Sequence, residues 1–373
     1  MQTIAIAGGG LMGRMLAWRL SRQGSDVRLY DTAPESTPLS AAYTAAAMIA
    51  PVAEKPLCHP EVYKAGLRSL ALWPKLISEL TTEQSLPVAY RRRGTLVVAH
   101  PGDAAELIKF HRDVILNDLP GESYIISLDR DGVRRKEPDL SHEFDRGFWL
   151  PDEAQIDNRA LLAALRSAAE ERGARFFFDT EVTRKKGIGR HSEYFVAGAL
   201  LDADLIIDCR GASARSDEDE AVDHTGKKVM IRGVRGETLW VHSPEADIRR
   251  PVRLLHPRYH LYLVPRGQGY YQLGATELEN DDLSPVSVRS AMEMLSALWT
   301  ISPAFSEARI TSMEANLRPA TPDHRPVIFK KDNVLFINGL FRHGFLLAPA
   351  ILERLEQDYE LNLGLRAKQC LLN

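Results

Sequence analysis

The opening 31 residues constrain the fold of this chain more tightly than any other stretch. Thr3 to Ala7 form a nearly continuous apolar run, the pattern of a strand buried on both faces. Gly8-Gly9-Gly10-Leu11-Met12-Gly13 follows and spells G-x-G-x-x-G. It opens an apolar helical stretch (Leu11, Met12, Met15, Leu16, Leu20) that holds small Ala17 and stops at Gly24. A second strand, Val27 to Tyr30, delivers Asp31, 18 residues beyond Gly13, close to the offset of about 20 at which an acid meets a ribose. In such a unit Gly8 permits the tight turn, Gly10 lets backbone approach a pyrophosphate, and Gly13 lets helix and strand pack closely. The helix N-terminus then offers unpaired N–H groups to phosphate. A glycine loop that opens a helix without any ligand is the plain structural alternative, and the motif alone does not choose between NAD and FAD.

Strands that run into glycine turns recur. Leu205 to Cys209 leads into Arg210-Gly211-Ala212-Ser213, and Val334 to Asn338 enters Gly339 before a helix expected over Leu346 to Leu363. Helices are expected over Lys64 to Leu80, Ala104 to Leu116, from Asp157 to near Gly173, and over Val286 to Leu298. Strands are expected at Arg93 to Ala99, Ala174 to Phe178, Glu181 to Thr183 and Ile310 to Leu317. Between Val234 and Gly274 the character changes to alternating strands (Thr238 to Val241, Leu261 to Pro265, Tyr270 to Leu273) separated by proline and glycine turns. The segment Ser40 to Ala50 is alanine-rich, either a bland helix end or a place where backbone approaches a flat ligand. A chain of 373 residues suits about two domains. The pattern implies a nucleotide-binding domain assembled from separated stretches, with antiparallel sheet inserted between them.

Composition mainly excludes. The 47 Lys+Arg against 50 Asp+Glu give a net charge of −3, which argues against a basic nucleic-acid footprint. Three cysteines (Cys58, Cys209, Cys370) show neither zinc spacing nor a disulfide framework, so no metal is expected. No apolar run reaches the roughly 18 residues that span a bilayer, and the strand at Thr3 leaves no room for a secretory leader. A cytoplasmic compartment is the expectation.

Further motifs carry a family resemblance over most of the chain. They are Thr44-Ala45-Ala46-Ala47-Met48-Ile49-Ala50-Pro51, a turn expected at Val234-Arg235-Gly236-Glu237, and His260-Leu261-Tyr262-Leu263-Val264-Pro265-Arg266. Gly274-Ala275-Thr276, Leu317-Arg318-Pro319-Ala320-Thr321-Pro322-Asp323 and Gly339-Leu340-Phe341-Arg342-His343-Gly344 complete the set. With the glycine fingerprint, these resemble the D-amino-acid oxidase superfamily of FAD enzymes, in its glycine oxidase and sarcosine oxidase branch. The resemblance implies an α/β (α+β) fold: a Rossmann-like FAD-binding domain (1–85, 140–230 and 319–373) interleaved with an antiparallel-sheet substrate domain (86–139 and 231–318). It also implies extended FAD, with Gly8, Gly10, Leu11, Met12 and Gly13 at the pyrophosphate and Asp31 on the ribose. Val182 would meet adenine through its backbone, and Gly211 would lie near the nucleotide. Thr44, Ala46, Ala47 and Met48 would lie along the flavin. Gly339, Phe341, Arg342, His343, Gly344, Phe345 and Leu346 would form the turn facing its pyrimidine ring, where aligned N–H groups stabilise negative charge. Tyr43 and Thr44 stand where some relatives attach flavin through histidine or cysteine, so noncovalent FAD is implied.

On the substrate side, the resemblance makes Arg318 the arginine that grips an amino acid carboxylate, a task that suits a planar guanidinium, and Tyr262 the hydroxyl that completes the grip. His260 and Arg342 match further pocket residues. Read without the family, Arg318 could be a surface salt-bridge residue, Tyr262 a packed strand residue and His260 a structural histidine. Several positions depart from the pattern: Asn316 replaces a glycine, His343 an asparagine and Arg210 a small residue. Arg210 could contact phosphate, alter the turn or make an outward salt bridge. Glu277 stands at an often apolar position beside the substrate. A dry, unpaired carboxylate costs several kcal/mol, so it must pair with an arginine, face water or meet a cationic substrate. The implied activity is oxidation of the C–N bond of an amino acid or small amine, by hydride transfer from Cα to flavin N5, with imine hydrolysis and H2O2 release to O2. A dehydrogenase with another acceptor, an oxidoreductase acting on a modified base or bulky amine, and a non-enzymatic flavin sensor are the competing readings.

Overall fold

The structure is a computed structural model that describes residues 1–36, 39–84, 87–116, 124–186, 192–216, 221–222 and 227–365. Cys370 lies outside them. Two large sheets organise the chain. The first has six strands in the order Val327–Lys331, Val334–Asn338, Leu205–Asp208, Thr3–Ala7, Asp26–Tyr30, Arg175–Phe177. All neighbours are parallel except the first pair. Alternation splits its side chains: Ile4 and Ile6 join the core under helices Leu11–Arg22, Pro60–Glu83, Asn158–Glu170 and Gly344–Asp358, while Ala5 and Ala7 pack beneath Val182 and Tyr194 on the other face. Both faces are covered, which is why these strands read as apolar runs.

The second sheet has eight strands: Arg309–Ala320, Arg232–His242, Tyr270–Gly274, Tyr259–Gly267, Val252–His256, Thr95–Ala99, Arg146–Leu150 and Ile126–Asp129. Only Val252–His256 against Thr95–Ala99 is parallel. Leu239, Leu261, Leu263 and Leu273 bury one face against helix Val288–Ile301. By the period of two, Thr238, His260, Tyr262 and Gly274 present the opposite face to the carboxyl ends of the parallel strands.

Several elements differ from the sequence reading for identifiable reasons. The expected turn at Val234 to Glu237 is the interior of the long strand Arg232–His242, because Gly236 serves a side chain from the next strand and does not reverse the chain. Helix Pro60–Glu83 starts earlier and runs later than expected and tolerates Pro74 inside it. The last helix, Gly344–Asp358, begins and ends sooner than Leu346 to Leu363. The strand Arg146–Leu150, inside the 140–230 stretch, pairs with Thr95–Ala99 in the eight-stranded sheet. No helix of the described residues is long and apolar enough to cross a membrane, and none of them form a group of three metal-ligating side chains.

Candidate functional site

A cavity of about 1140 Å³ lies between the carboxyl ends of the parallel strands and the open face of the large sheet, the position at which doubly wound sheets bind ligands. At its nucleotide end the glycines are fixed by close approach. Gly8 has φ +104°, and a Cβ there would sit 2.5 Å from the Cys209 carbonyl oxygen. A Cβ on Gly13 would lie 1.9 Å from the Gly8 carbonyl oxygen. Gly10 caps helix Leu11–Arg22 without any side-chain cap, and no acidic residue occupies the first turn, so the helix N-terminus opens on the cavity. Asp31 accepts from Gly9 N and Ala33 N, each at 2.9 Å, and burial pushes its carboxyl up despite these bonds and nearby Arg14.

Arg14 was not singled out in the sequence. Its buried guanidinium donates to Gly9 O at 2.7 Å and Leu162 O at 3.1 Å and so ties the loop to the helix behind it. Arg210 does not point outward. It folds onto buried Asp208 through Nε at 3.0 Å and Nη2 at 2.8 Å and donates to Val182 O at 2.8 Å. Asp208 also accepts from Tyr194 at 2.9 Å. Burial would raise the Asp208 carboxyl, but Arg210 holds it below the ordinary value.

At the other end, Ala46, Ala47, Met48 and Thr44 line the wall. Ala47 at φ 47° and Phe341 at φ 50° occupy the left-handed region that non-glycine residues rarely adopt. The alanine segment is held from behind: Asn316 Nδ2 donates to Leu39 O at 3.0 Å and Thr44 Oγ1 at 3.2 Å, Gln272 donates to Thr44 O at 2.8 Å, and Arg266 reaches Ile156 O at 3.0 Å. The Asn316 amide thus tethers this wall. Burial takes Arg266 down to about 10. Phe341 N donates to Pro319 O at 2.8 Å, which joins the late turn to the strand that carries Arg318.

Two glycines make room for two polar side chains. The Arg318 guanidinium lies over Gly236, where a Cβ would meet Nη2 at 2.4 Å. The Tyr262 hydroxyl lies over Gly274, where a Cβ would meet it at 3.0 Å. Thr238 pairs with Gly274, and Gly274 with Tyr262, so the two side chains share one sheet face. The one hydrogen bond Arg318 makes among the described residues is to Arg235 O at 3.4 Å, and none of their carboxylates lies within ion-pair distance of it. Burial lowers the Arg318 guanidinium, partly opposed by Tyr262 and Glu277, and raises the Tyr262 phenol. The His260 imidazole is lowered first by burial and then by Arg253, which favours its uncharged form.

Beside them lies a charge network centred on Glu54, which the sequence did not reveal. Arg342 Nε reaches Glu54 at 2.9 Å, His343 Nε2 reaches it at 3.2 Å, and Arg253 makes a further ion pair with it. Burial alone would raise Glu54, yet Arg342 and Arg253 hold it well below the carboxylate range. Glu277 takes the first of the three outcomes open to it, accepting from Arg342 Nη1 at 2.9 Å, while 43% of its side chain stays exposed. Gly8, Gly10, Leu11, Met12, Asp31, Gly211, Phe341, Arg342, His343, Gly344, Phe345, Leu346, His260, Glu277, Arg318 and Tyr262 all border the cavity, whereas Gly13, Val182 and Gly339 stand behind its wall. The extended cradle that a Cβ would fill, the uncapped helix N-terminus and Asp31 at one end fit FAD; the flat alanine wall fits its ring system.

Comparison with known proteins agrees. The profile of the DAO family, described as FAD dependent oxidoreductase, matches residues 3–355. The chain is 36% identical over 348 residues, 93% of each chain, to a Rhizobium etli protein named for thiamine biosynthesis as the oxidoreductase ThiO. It is 24% identical to Geobacillus kaustophilus glycine oxidase over 369 residues, covering 96% of this chain and 94% of that one. The crystal structure of that glycine oxidase superposes with a TM-score of 0.81 at 22% identity, covering 99% and 96% of the two chains.

Proposed function

Because this chain belongs to the DAO family of FAD-dependent oxidoreductases, we propose that it oxidises the C–N bond of a small amino acid or amine that carries a carboxylate, with O2 as the final acceptor. The observation that carries this reading is the Arg318 guanidinium, aimed at the cavity over Gly236 with no carboxylate partner among the described residues and with the Tyr262 hydroxyl on the same sheet face. A buried cation so placed asks for an anion, and Arg318 with Tyr262 offers a carboxylate several donors.

Bound FAD supplies the acceptor for the two electrons and proton that leave the substrate carbon. The chain supplies orientation. Arg318 and Tyr262 fix the carboxylate, so that the amine-bearing carbon faces the wall built by Ala46, Ala47 and Met48. The N-terminus of helix Gly344–Asp358, bordering the cavity at Gly344 and Phe345, favours negative charge at that edge of the site. Glu54 holds Arg342 and His343 as a rigid rim. The described cysteines, Cys58 and Cys209, are free thiols, which suits a cytoplasmic setting.

Anaerobic mixing with glycine, N-methylglycine and larger amino acids tests the reading: at least one should bleach the flavin band. Arg318→Ala should raise KM for that substrate about 10- to 100-fold, the worth of a charged hydrogen bond, with FAD occupancy unchanged. No bleaching by any amine, or a parallel loss of FAD and substrate, refutes it.

A further inference from the structure

We propose that Glu277 is a specificity-determining residue: with Arg342 it makes the substrate end of the cavity a charge filter. The filter admits a monocarboxylate whose amine bears a neutral or cationic substituent and disfavours one that bears a second carboxylate. The inference rests on the reading that Arg318 takes the substrate carboxylate.

The first support is a charge count. The ionised side chains bordering this end are Arg253, Arg318 and Arg342 against Glu54 and Glu277, three cations against two carboxylates. One substrate carboxylate on Arg318 brings the sum to zero. A second leaves the pocket anionic, in partly desolvated surroundings where charges couple strongly. Arg258 and Arg289 at the rim share Glu293 and are 66% and 80% exposed, so solvent and salt screen them.

The second support is that the other two arginines counted here, Arg342 and Arg253, are already engaged by protein partners. Arg342 is occupied twice, by Glu54 through Nε at 2.9 Å and by Glu277 through Nη1 at 2.9 Å. Arg253 is occupied by Glu54 and the Ala53 carbonyl. Glu277, by contrast, has capacity left: its Oε2 accepts from Arg342, and Oε1 has no protein partner among the described residues.

The third support is rigidity. Thr276 Oγ1 donates to buried Glu237 at 3.0 Å and accepts from Glu237 N at 2.9 Å. On the other side, Leu278 and Arg235 exchange both backbone bonds, at 2.8 and 2.9 Å. The Glu277 backbone is therefore pinned between two anchors, and the ion pair with Arg342 turns its carboxylate toward the site.

Three N-substituted glycines isolate the effect, since they share carbon and carboxylate and differ in one charge: N-ethylglycine, N-(2-aminoethyl)glycine and iminodiacetate. Glu277→Gln in the FAD-loaded protein should lower kcat/KM for the aminoethyl compound about tenfold and raise it for iminodiacetate about tenfold, the scale of one charge at partly solvated range. N-ethylglycine should change less than about threefold, and Glu277→Asp should restore the wild-type order. A second measurement needs no turnover: the dissociation constants of butyrate, γ-aminobutyrate and succinate, read from perturbation of the flavin absorbance, should shift in the same directions. If none of the glycines is oxidised but the acids keep this charge order, oxidation of such substrates falls and the filter stands. If the charge order is unmoved by Glu277→Gln, or the acids fail to perturb the flavin, the filter is overturned.

Discussion

Replacing Gly13 by alanine adds a single methyl group at the tightest point of the nucleotide end. That Cβ would stand 1.9 Å from the Gly8 carbonyl oxygen, and ordinary contact begins near 3.4 Å, so helix and strand must part by about 1.5 Å. The neighbours that must give are backbone, Gly8 O and Gly8 C, with the Cys209 thiol next at 3.2 Å. Gly8 has no side chain with which to yield, and its surroundings are tight in turn: a Cβ built on it would meet Cys209 O at 2.5 Å and Arg210 Cα at 2.8 Å. Overpacking of this kind costs about 1–3 kcal/mol, and here it falls on the segment that places the helix N-terminus. Gly102→Ala is the matched control: nothing lies within 4 Å of its Cβ and its φ is not positive. Gly13→Ala should therefore lower Tm by at least about 2 °C and weaken FAD at least tenfold, by roughly 1.4 kcal/mol. Gly102→Ala should do neither. Thermal unfolding and flavin fluorescence titration read both quantities. A Gly13→Ala protein that binds FAD and melts like Gly102→Ala would show that close packing at this turn does not position the nucleotide site.

Two further predictions concern buried carboxyls. Glu153 is fully buried, accepts from Ala53 N at 2.7 Å, and is pushed by burial from 4.5 up to about 7. A raised folded value means that its contribution is fully present below about pH 4.5 and is lost as pH rises through 7, a change on the order of 3 kcal/mol. Glu153→Gln keeps the acceptor without the charge, so urea denaturation should show it equal to wild type at pH 5 and more stable at pH 8; equal stability at both would contradict the assignment. Asp208→Asn removes the buried carboxylate that takes two N–H groups of Arg210, and it should destabilise the protein by about 3 kcal/mol, measured as a lower urea midpoint at pH 7.

Near-neighbour relations were readable in the chain. The strand, glycine turn, helix, strand and acid from Thr3 to Asp31 are contiguous, and their chemistry follows from steric and backbone demands that each residue meets locally. The same holds for the parallel strands, whose continuous apolar runs report burial on both faces, and for the motif that carries Arg318. Two local readings failed where a distant strand intervened. Gly236 looked like a turn residue, yet it is flat strand because Arg318, 82 positions later, needs the space above it. Arg210 looked able to face outward, but Asp208 and the Val182 carbonyl turn it in.

The sequence by itself determined that a dinucleotide-type unit would form and which side chains were candidates for a carboxylate site. Only the tertiary structure decided how their charges are balanced. Glu54 ends a short helix with no local sign of function, and it acquires meaning because Arg253 and Arg342 arrive from 199 and 288 positions away. Ion pairing depends on distance in space, and hydrophobic periodicity carries no record of which charged groups the fold will bring within a few ångströms of one another. The net charge of −3 is a property of the composition; that Arg318 lies over Gly236 without a carboxylate partner among the described residues is a property of the fold.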